Sequence, residues 1–503
     1  MSIDSSESAP EPDAAYDELT DRFARVSNLA QGALVLSWDQ QTMMPEGGSP
    51  ARGKQLSALF ASRHDHLTDE RTGELLSTLE SSELDDERTA VVREIRREYD
   101  HAVDVPSELV EELTEAQTAS QRTWQDAKAE DDFASFAPTL EELRELHVER
   151  AEHIDPGKAP YEVMYEGTDP DLPLSTVERV FERLREKLVP LIADIEARGD
   201  DLPRPFAGEF PEADQRALCE AALDELGYDR SRGRLDTAPH PFMAGNQFDA
   251  RVTTRFTPDD PLDALTATIH EFGHASYQLG LPQEHYGSPL GQSVGRIHES
   301  QSRFWENHVG RSRPFWERFL PTLKEHLDGV DDVTVDEAYA AVNRIYPENL
   351  IRVEADELTY HLHIILRTEI DSAFVAGEVD ADDIPELWNG KMEEYLGVVP
   401  DTDAEGCLQD IHWSTGFASF QNYTVGSVLA AQLDAAVRED LDVDGLVREG
   451  EYEPIAEWMT EHVHRHGQRY RTDELVEVAT GEPLTADYFL DYVDEKFGAL
   501  YGL

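Results

Sequence analysis

The stretch Ala264–His274, ALTATIHEFGH, constrains this chain more than any other, because it sets His270-Glu271-x-x-His274 on an apolar-striped segment. Residues four apart on a helix lie about 40° apart around the axis and one turn apart along it, so both imidazoles can face one ion. Glu271 falls beside that face, where it can reach a metal-bound water rather than the metal. Leu265, Ile269 and Phe272 supply the stripe that seats the helix, and the P-x-D-A-L run marks its start. The motif also arises by chance, so a third ligand decides its meaning. Catalytic zinc usually takes three protein ligands and keeps a further position for water. Glu299, within Gly295–Ser302 (GRIHESQS), follows His274 by 25 residues, enough for a loop and the entry to a second helix beside the first.

Two neighbouring patterns are absent. The extended metzincin motif H-E-x-x-H-x-x-G-x-x-H fails, because Tyr277 stands where its Gly belongs and Gly280 where its third His belongs. No G-x-M-E-N element, the amino-end anchor of typical zinc aminopeptidases, precedes the motif.

Charge excludes other classes. Lys and Arg total 43 against 105 Asp and Glu, a net charge of −62 that argues against nucleic acid or an anionic membrane as partner. The acids are spread along the chain, and Arg outnumbers Lys. This is the pattern of a solvated surface adapted to high salt, where counterions screen self-repulsion. A host with a salty cytoplasm follows. Cys219 and Cys407 lie far apart and neither belongs to a C-x-x-C pair, so no disulfide framework or thiolate zinc site is indicated. The N-terminus lacks the basic and apolar regions of a signal peptide, and no segment has eighteen continuous apolar residues. A soluble, cytoplasmic protein is expected.

Residues 1–12 read as a disordered acidic tail and 13–503 as one helical domain. Helical periodicity covers Tyr16–Leu36 and ends near Trp38–Pro45. It resumes after Pro106-Ser107 and again at Ser175, with 157–173 as a connection. Residues 240–256 alternate like strands, which could seat extended peptide or simply serve the core. Phe304-Trp305-Glu306 continues a helix, 335–375 reads as one helical run, and 406–426 is a Gly-punctuated aromatic stretch of the kind that lines clefts.

Taken in order, these motifs resemble the carboxypeptidase Taq family of thermostable metallocarboxypeptidases, with a haloarchaeal-type composition. The resemblance rests on His240-Pro241-Phe242, on Asp249, Arg251 and Thr253 of D-x-R-x-T, on the H-E-x-x-H itself, and on His298-Glu299-Ser300-Gln301. It continues through Ile351-Arg352-x-x-Ala355-Asp356 and Gly406-x-x-Gln409-Asp410-x-His412-Trp413, and includes W-D-x-x-T-x-M-P at Trp38–Pro45. One stretch departs: Phe417-Ala-Ser-Phe-Gln-Asn-Tyr423 lacks the Gly and Pro of the family's F-G-Y-F-P-T-Y.

The resemblance implies a mainly α fold with a deep substrate groove and a small β-sheet beside the motif helix, and a homodimer. It implies release of single C-terminal residues from peptides with a free C-terminus, with broad specificity. One zinc ion per chain would be held by His270, His274 and Glu299, although cobalt or manganese suits the same donors. Glu271 would be the general base. His240, His412 and Tyr423 are candidate oxyanion donors. Arg352 is the candidate receptor for the substrate's terminal carboxylate, with internal pairing to Glu354, Asp356 or another helix carboxylate as the alternative. Asp249, Arg251, Gln409 and Asp410 are candidate groove residues. The competing functional reading is a helical zinc endopeptidase or oligopeptidase on the same scaffold; a non-catalytic peptide binder is disfavoured by the intact Glu271.

The excess of carboxylates predicts a melting temperature that rises steeply from dilute to molar potassium chloride, which thermal denaturation followed by circular dichroism measures. A flat profile contradicts the high-salt reading.

Overall fold

Helices carry the architecture of this computed structural model, which describes residues 11–167 and 171–503. Most of the expected acidic tail lies outside the described residues, and Pro12, assigned to it by composition, instead opens the first helix (Pro12–Thr42). A proline at the first helical position gives up an N–H that would have no partner anyway. Leu19, Phe23, Val26 and Ala33 of this helix are buried as the periodicity requires. Within the expected connection at 157–173, Pro160–Glu166 forms a short helix started in the same way by its proline. Among the described residues no helix is long and apolar enough to cross a membrane.

Two large hydrophobic cores meet on one helix, Gln421–Asp440. Its Val425, Val428 and Ala431 enter a core shared with Phe133–Ile154, Leu174–Arg198 and Thr359–Val375. Its Leu429, Ala430, Leu433 and Val437 enter a second core, around the motif helix Pro261–Gly280. Residues three and four apart occupy one face, so two interleaved apolar stripes make a helix buried almost all round.

A three-stranded sheet, β1 (Leu235–Thr237), β2 (Met243–Asn246) and β3 (Asp249–Thr254), lies beside the motif helix. β3 is central, parallel to β1 and antiparallel to β2, and Val252 pairs with Leu235 on one side and Met243 on the other. The alternation at 240–256 anticipated β2 and β3, whereas β1 is too short for periodicity to reveal. Ala250 and Val252 face the second core, and Thr254 Oγ1 donates to the carbonyl of Ala264 at 3.1 Å, tying β3 to the motif helix.

The expected helical run at 335–375 is broken. Val335–Val342 and Thr359–Val375 are helices, but between them only Arg352–Glu354 forms a single tight turn. Asp356 organises the break: one oxygen accepts from the N–H groups of Leu358 and Thr359, the other from Tyr346 N–H and Thr359 Oγ1. The helix after Gly295 is Gly295–Arg303, and it passes into a π-helical stretch, Phe304–Gly310. A Cβ on Gly273 would stand 2.5 Å from the carbonyl oxygen of Gln301, and one on Gly426 would stand 2.5 Å from Cγ of Glu299. These two glycines allow the motif helix and Gln421–Asp440 to close on Gly295–Arg303 from either side.

Candidate metal centre

His270, His274 and Glu299 offer one ligand atom each within 4.8 Å of one another. Nε2 of His274 and Nε2 of His270 lie 3.4 and 3.8 Å from the same oxygen of Glu299. The orientation of each ring is fixed from behind. Nδ1 of His270 is 2.9 Å from Oε2 of Glu306, and Nδ1 of His274 is 3.1 Å from the carbonyl of His298. Both partners only accept, so each Nδ1 carries the proton and each Nε2 keeps its lone pair for a cation. The His298 ring stacks on His274 at 4.2 Å.

Glu299, Arg303 and Glu306 recur at i, i+4 and i+7 and therefore share one helical face. Arg303 donates from Nε to Oε1 of Glu299 at 2.9 Å and from Nη1 to Glu306 at 3.1 Å, while Arg311 holds the other oxygen of Glu306 at 2.8 Å. Burial alone would raise the Glu299 carboxyl, but Arg303 and the two imidazoles outweigh it and hold it well below the usual carboxylate range. Glu306 is held low in the same way, by Arg311, Arg303 and His270 against its burial. Glu271 differs. Burial pushes it up, His274 and His270 offset this only in part, and its Oε2 is buried without a hydrogen-bond partner. Two imidazole nitrogens, a carboxylate oxygen and an unsatisfied carboxylate beside them fit a divalent metal with its water. Glu306, Arg303 and Arg311 were not among the residues expected from sequence, although the i, i+4, i+7 charge pattern was there to be read.

His270 and Glu271 open on a groove of about 870 Å3 whose walls include His240, Arg303, Arg352 and Tyr360. Arg352 is 8% exposed, and Nε and Nη2 both lie 2.8 Å from Oδ2 of Asp410, so its partner is neither Glu354 nor Asp356. Its N–H donates to Oε1 of Gln409 at 2.8 Å. The other oxygen of Asp410 takes the N–H and Nδ1 of His412. Tyr423 lies beside Arg352, whose guanidinium is 5.9 Å from its ring. Asp249 and Arg251 are elsewhere. They pair with each other at 2.6 Å, and Arg251 sits 4.2 Å over the ring of Trp38 while Arg234 stands 5.3 Å from it. The D-x-R-x-T and W-D elements thus meet at a cation–π contact that joins the first helix to the sheet.

The sequence pattern of carboxypeptidase Taq (M32) metallopeptidases matches residues 18–497. The chain belongs to this family. Thermostable carboxypeptidase 1 of Thermus thermophilus is 38% identical over 513 residues, covering 98% of this chain and 100% of that protein. Carboxypeptidase 1 of Bacillus subtilis is 36% identical over 493 residues, 96% and 98% of the two chains. The crystal structure of the M32 carboxypeptidase from Deinococcus radiodurans superposes with a TM-score of 0.94 at 36% identity, covering 97% of this chain and 100% of that one. The protein is a metallocarboxypeptidase, and its substrates are peptides.

In this carboxypeptidase Taq enzyme Glu306 both orients His270 and compensates two half-buried arginines. Glu306→Gln should weaken divalent-metal binding by about 10- to 100-fold, the usual cost of losing a ligand's outer partner. Titration of the metal-free protein checks this; an unchanged dissociation constant refutes it.

Proposed function

We propose that the enzyme removes single C-terminal residues from peptides with broad specificity, with zinc as its ion and Glu271 as general base. The observation that carries this reading is the buried, unpartnered Oε2 of Glu271 beside three convergent donors. His270, His274 and Glu299 would hold the ion, and cobalt or manganese suits the same donors. When bound, such an ion supplies Lewis-acid polarisation of the scissile carbonyl and makes a water acidic enough to lose a proton near neutral pH.

Glu271 Oε2 accepts that proton and returns it to the leaving amine. Arg352 receives the substrate's terminal carboxylate. Asp410 and Gln409 fix its side chain and backbone, which leaves its Nη1 edge for the substrate. In a chain of net charge −62 a local guanidinium is what allows a peptide carboxylate to settle near the reaction centre. Tyr423 is our first choice as oxyanion donor: burial and the Glu299 charge raise its hydroxyl above the usual range, so it stays protonated at neutral pH. His240 and His412 are the other candidates. Asp249 and Arg251 act as docking residues for the first helix. We further propose a cytoplasmic homodimer working at high salt.

Mass spectrometry of one peptide and its C-terminal amide tests the reading. Wild type should shorten the free peptide one residue at a time and leave the amide nearly intact; internal cleavage of both would favour an endopeptidase. Glu271→Gln should abolish turnover while retaining the metal. Arg352→Ala should cost about 2 to 4 kcal/mol in kcat/KM on the free peptide and little on the amide. Equal loss on both removes Arg352 as the anchor.

A further inference from the structure

Six arginines line the groove, and five of them have a carboxylate within ion-pair distance. Arg255 pairs with Asp263, Arg303 with Glu299 and Glu306, Arg311 with Glu306, Arg344 with Asp201 and Arg352 with Asp410. Arg204 has none among the described residues. In a chain with 105 carboxylates and 43 Lys and Arg, a groove-lining guanidinium without a partner carries a charge that is available to a ligand.

Arg204 is itself exposed, but the segment that carries it is anchored on both sides. Arg204 stands between Pro203 and Pro205, which narrow the backbone choices of the segment and push Arg204 toward extended conformations. Leu202, two residues earlier, is buried in the first core, and its carbonyl accepts from Nη1 of Arg344. Phe206, two residues later, packs on the second core. The guanidinium groups of Arg204 and Arg344 each lie 5.7 Å from the centre of the Tyr346 ring. The main chain that carries this ring is anchored by the backbone N–H of Tyr346, which donates to Asp356 at 2.8 Å. The Arg344 pairing with Asp201 is a single contact at 3.2 Å to a side chain that is 93% exposed, a weak competitor for a bound anion. Asp259 and Asp260 also line this wall. Neither is within ion-pair distance of Arg204, and Asp260 is committed to capping the motif helix through the N–H groups of Leu262 and Asp263.

We propose that Arg204, with Arg344 and Tyr346 behind it, is an anion subsite of the peptide groove that takes an acidic side chain of the substrate, Asp or Glu. The proposal deepens the carboxypeptidase reading and rests on it, since it requires that peptide occupy this groove. It is separate from the Arg352 site, whose Nε and Nη2 are held by Asp410. Its purpose follows from electrostatics. The field of a strongly acidic enzyme disfavours acidic peptides, and a cation pair on the groove wall restores their affinity at one position along the chain. The Tyr346 ring backs both guanidinium groups; Arg344 already donates to Leu202 and Asp201, and Arg204 keeps its N–H groups for a ligand.

The test uses peptides with a free C-terminus that carry Glu or Gln at one position at a time, at the lowest salt where circular dichroism reports the folded protein. Wild type should prefer Glu at one position by about two- to fivefold in kcat/KM, the scale of an exposed ion pair. In Arg204→Gln this Glu-to-Gln ratio should fall to near one, and Arg204→Lys should restore part of it. The same ratio should appear in dissociation constants measured calorimetrically with Glu271→Gln, independent of turnover. Absence of a preference at every position, or a preference that survives Arg204→Gln, overturns the subsite. The underlying reading is scored separately: release of the C-terminal residue from the Gln peptides upholds it whatever the ratio, and internal cleavage alone sinks it.

Discussion

The His270 ring is held between two buried carboxylates of one neighbouring helical segment, with Glu306 behind Nδ1 and Glu299 facing Nε2. Everything around the centre serves that arrangement. Two carboxylates seven residues apart on one face, with Glu271 beside them, would repel one another and resist burial in a low-dielectric interior. Arg303, placed between them in sequence and bonded to both, supplies the compensating charge, and Arg311 supplies a second. The compensation is local, so the centre can exist in a protein whose overall field is strongly negative. Removing either arginine would leave buried charge uncompensated, which costs more than the pair itself contributes.

Such charges can share a site only if their helices come close enough, and two glycines permit it. Gly273 brings the motif helix against the backbone of Gln301 and Ser302, and Gly426 brings Gln421–Asp440 against the side chain of Glu299. The same Gln421–Asp440 helix feeds both hydrophobic cores, so the geometry of Glu299 is set by the packing of the whole molecule rather than by a loop. Close-packed cores resist small displacements, which gives the donor set the rigidity that metal geometry needs.

Local sequence carried much of this. The period of apolar residues located the first helix and the motif helix, because each buries an apolar stripe, whereas the helix bearing Glu299 was inferred only from its spacing after His274. It failed between Val342 and Thr359, where helical composition continues but the Asp356 carboxylate satisfies backbone N–H groups and breaks the run. It also could not reveal long-range partners. Nothing near Arg251 announces Trp38, and nothing near Arg352 announces Asp410, because these contacts join segments that the fold alone brings together. Conversely, Glu299, Arg303 and Glu306 were legible as one helical face, yet without the structure their charges could not be told from an ordinary solvated surface.

We propose that His270, His274 and Glu299 hold one catalytic ion per chain. Metal analysis after equilibrium dialysis, on wild type and on Glu299→Gln with folding followed by circular dichroism, tests it most directly. The account predicts one ion per wild-type chain and an affinity loss in the variant of more than about a hundredfold, beyond that for an outer partner. A folded Glu299→Gln protein that retains one ion with wild-type affinity would contradict it.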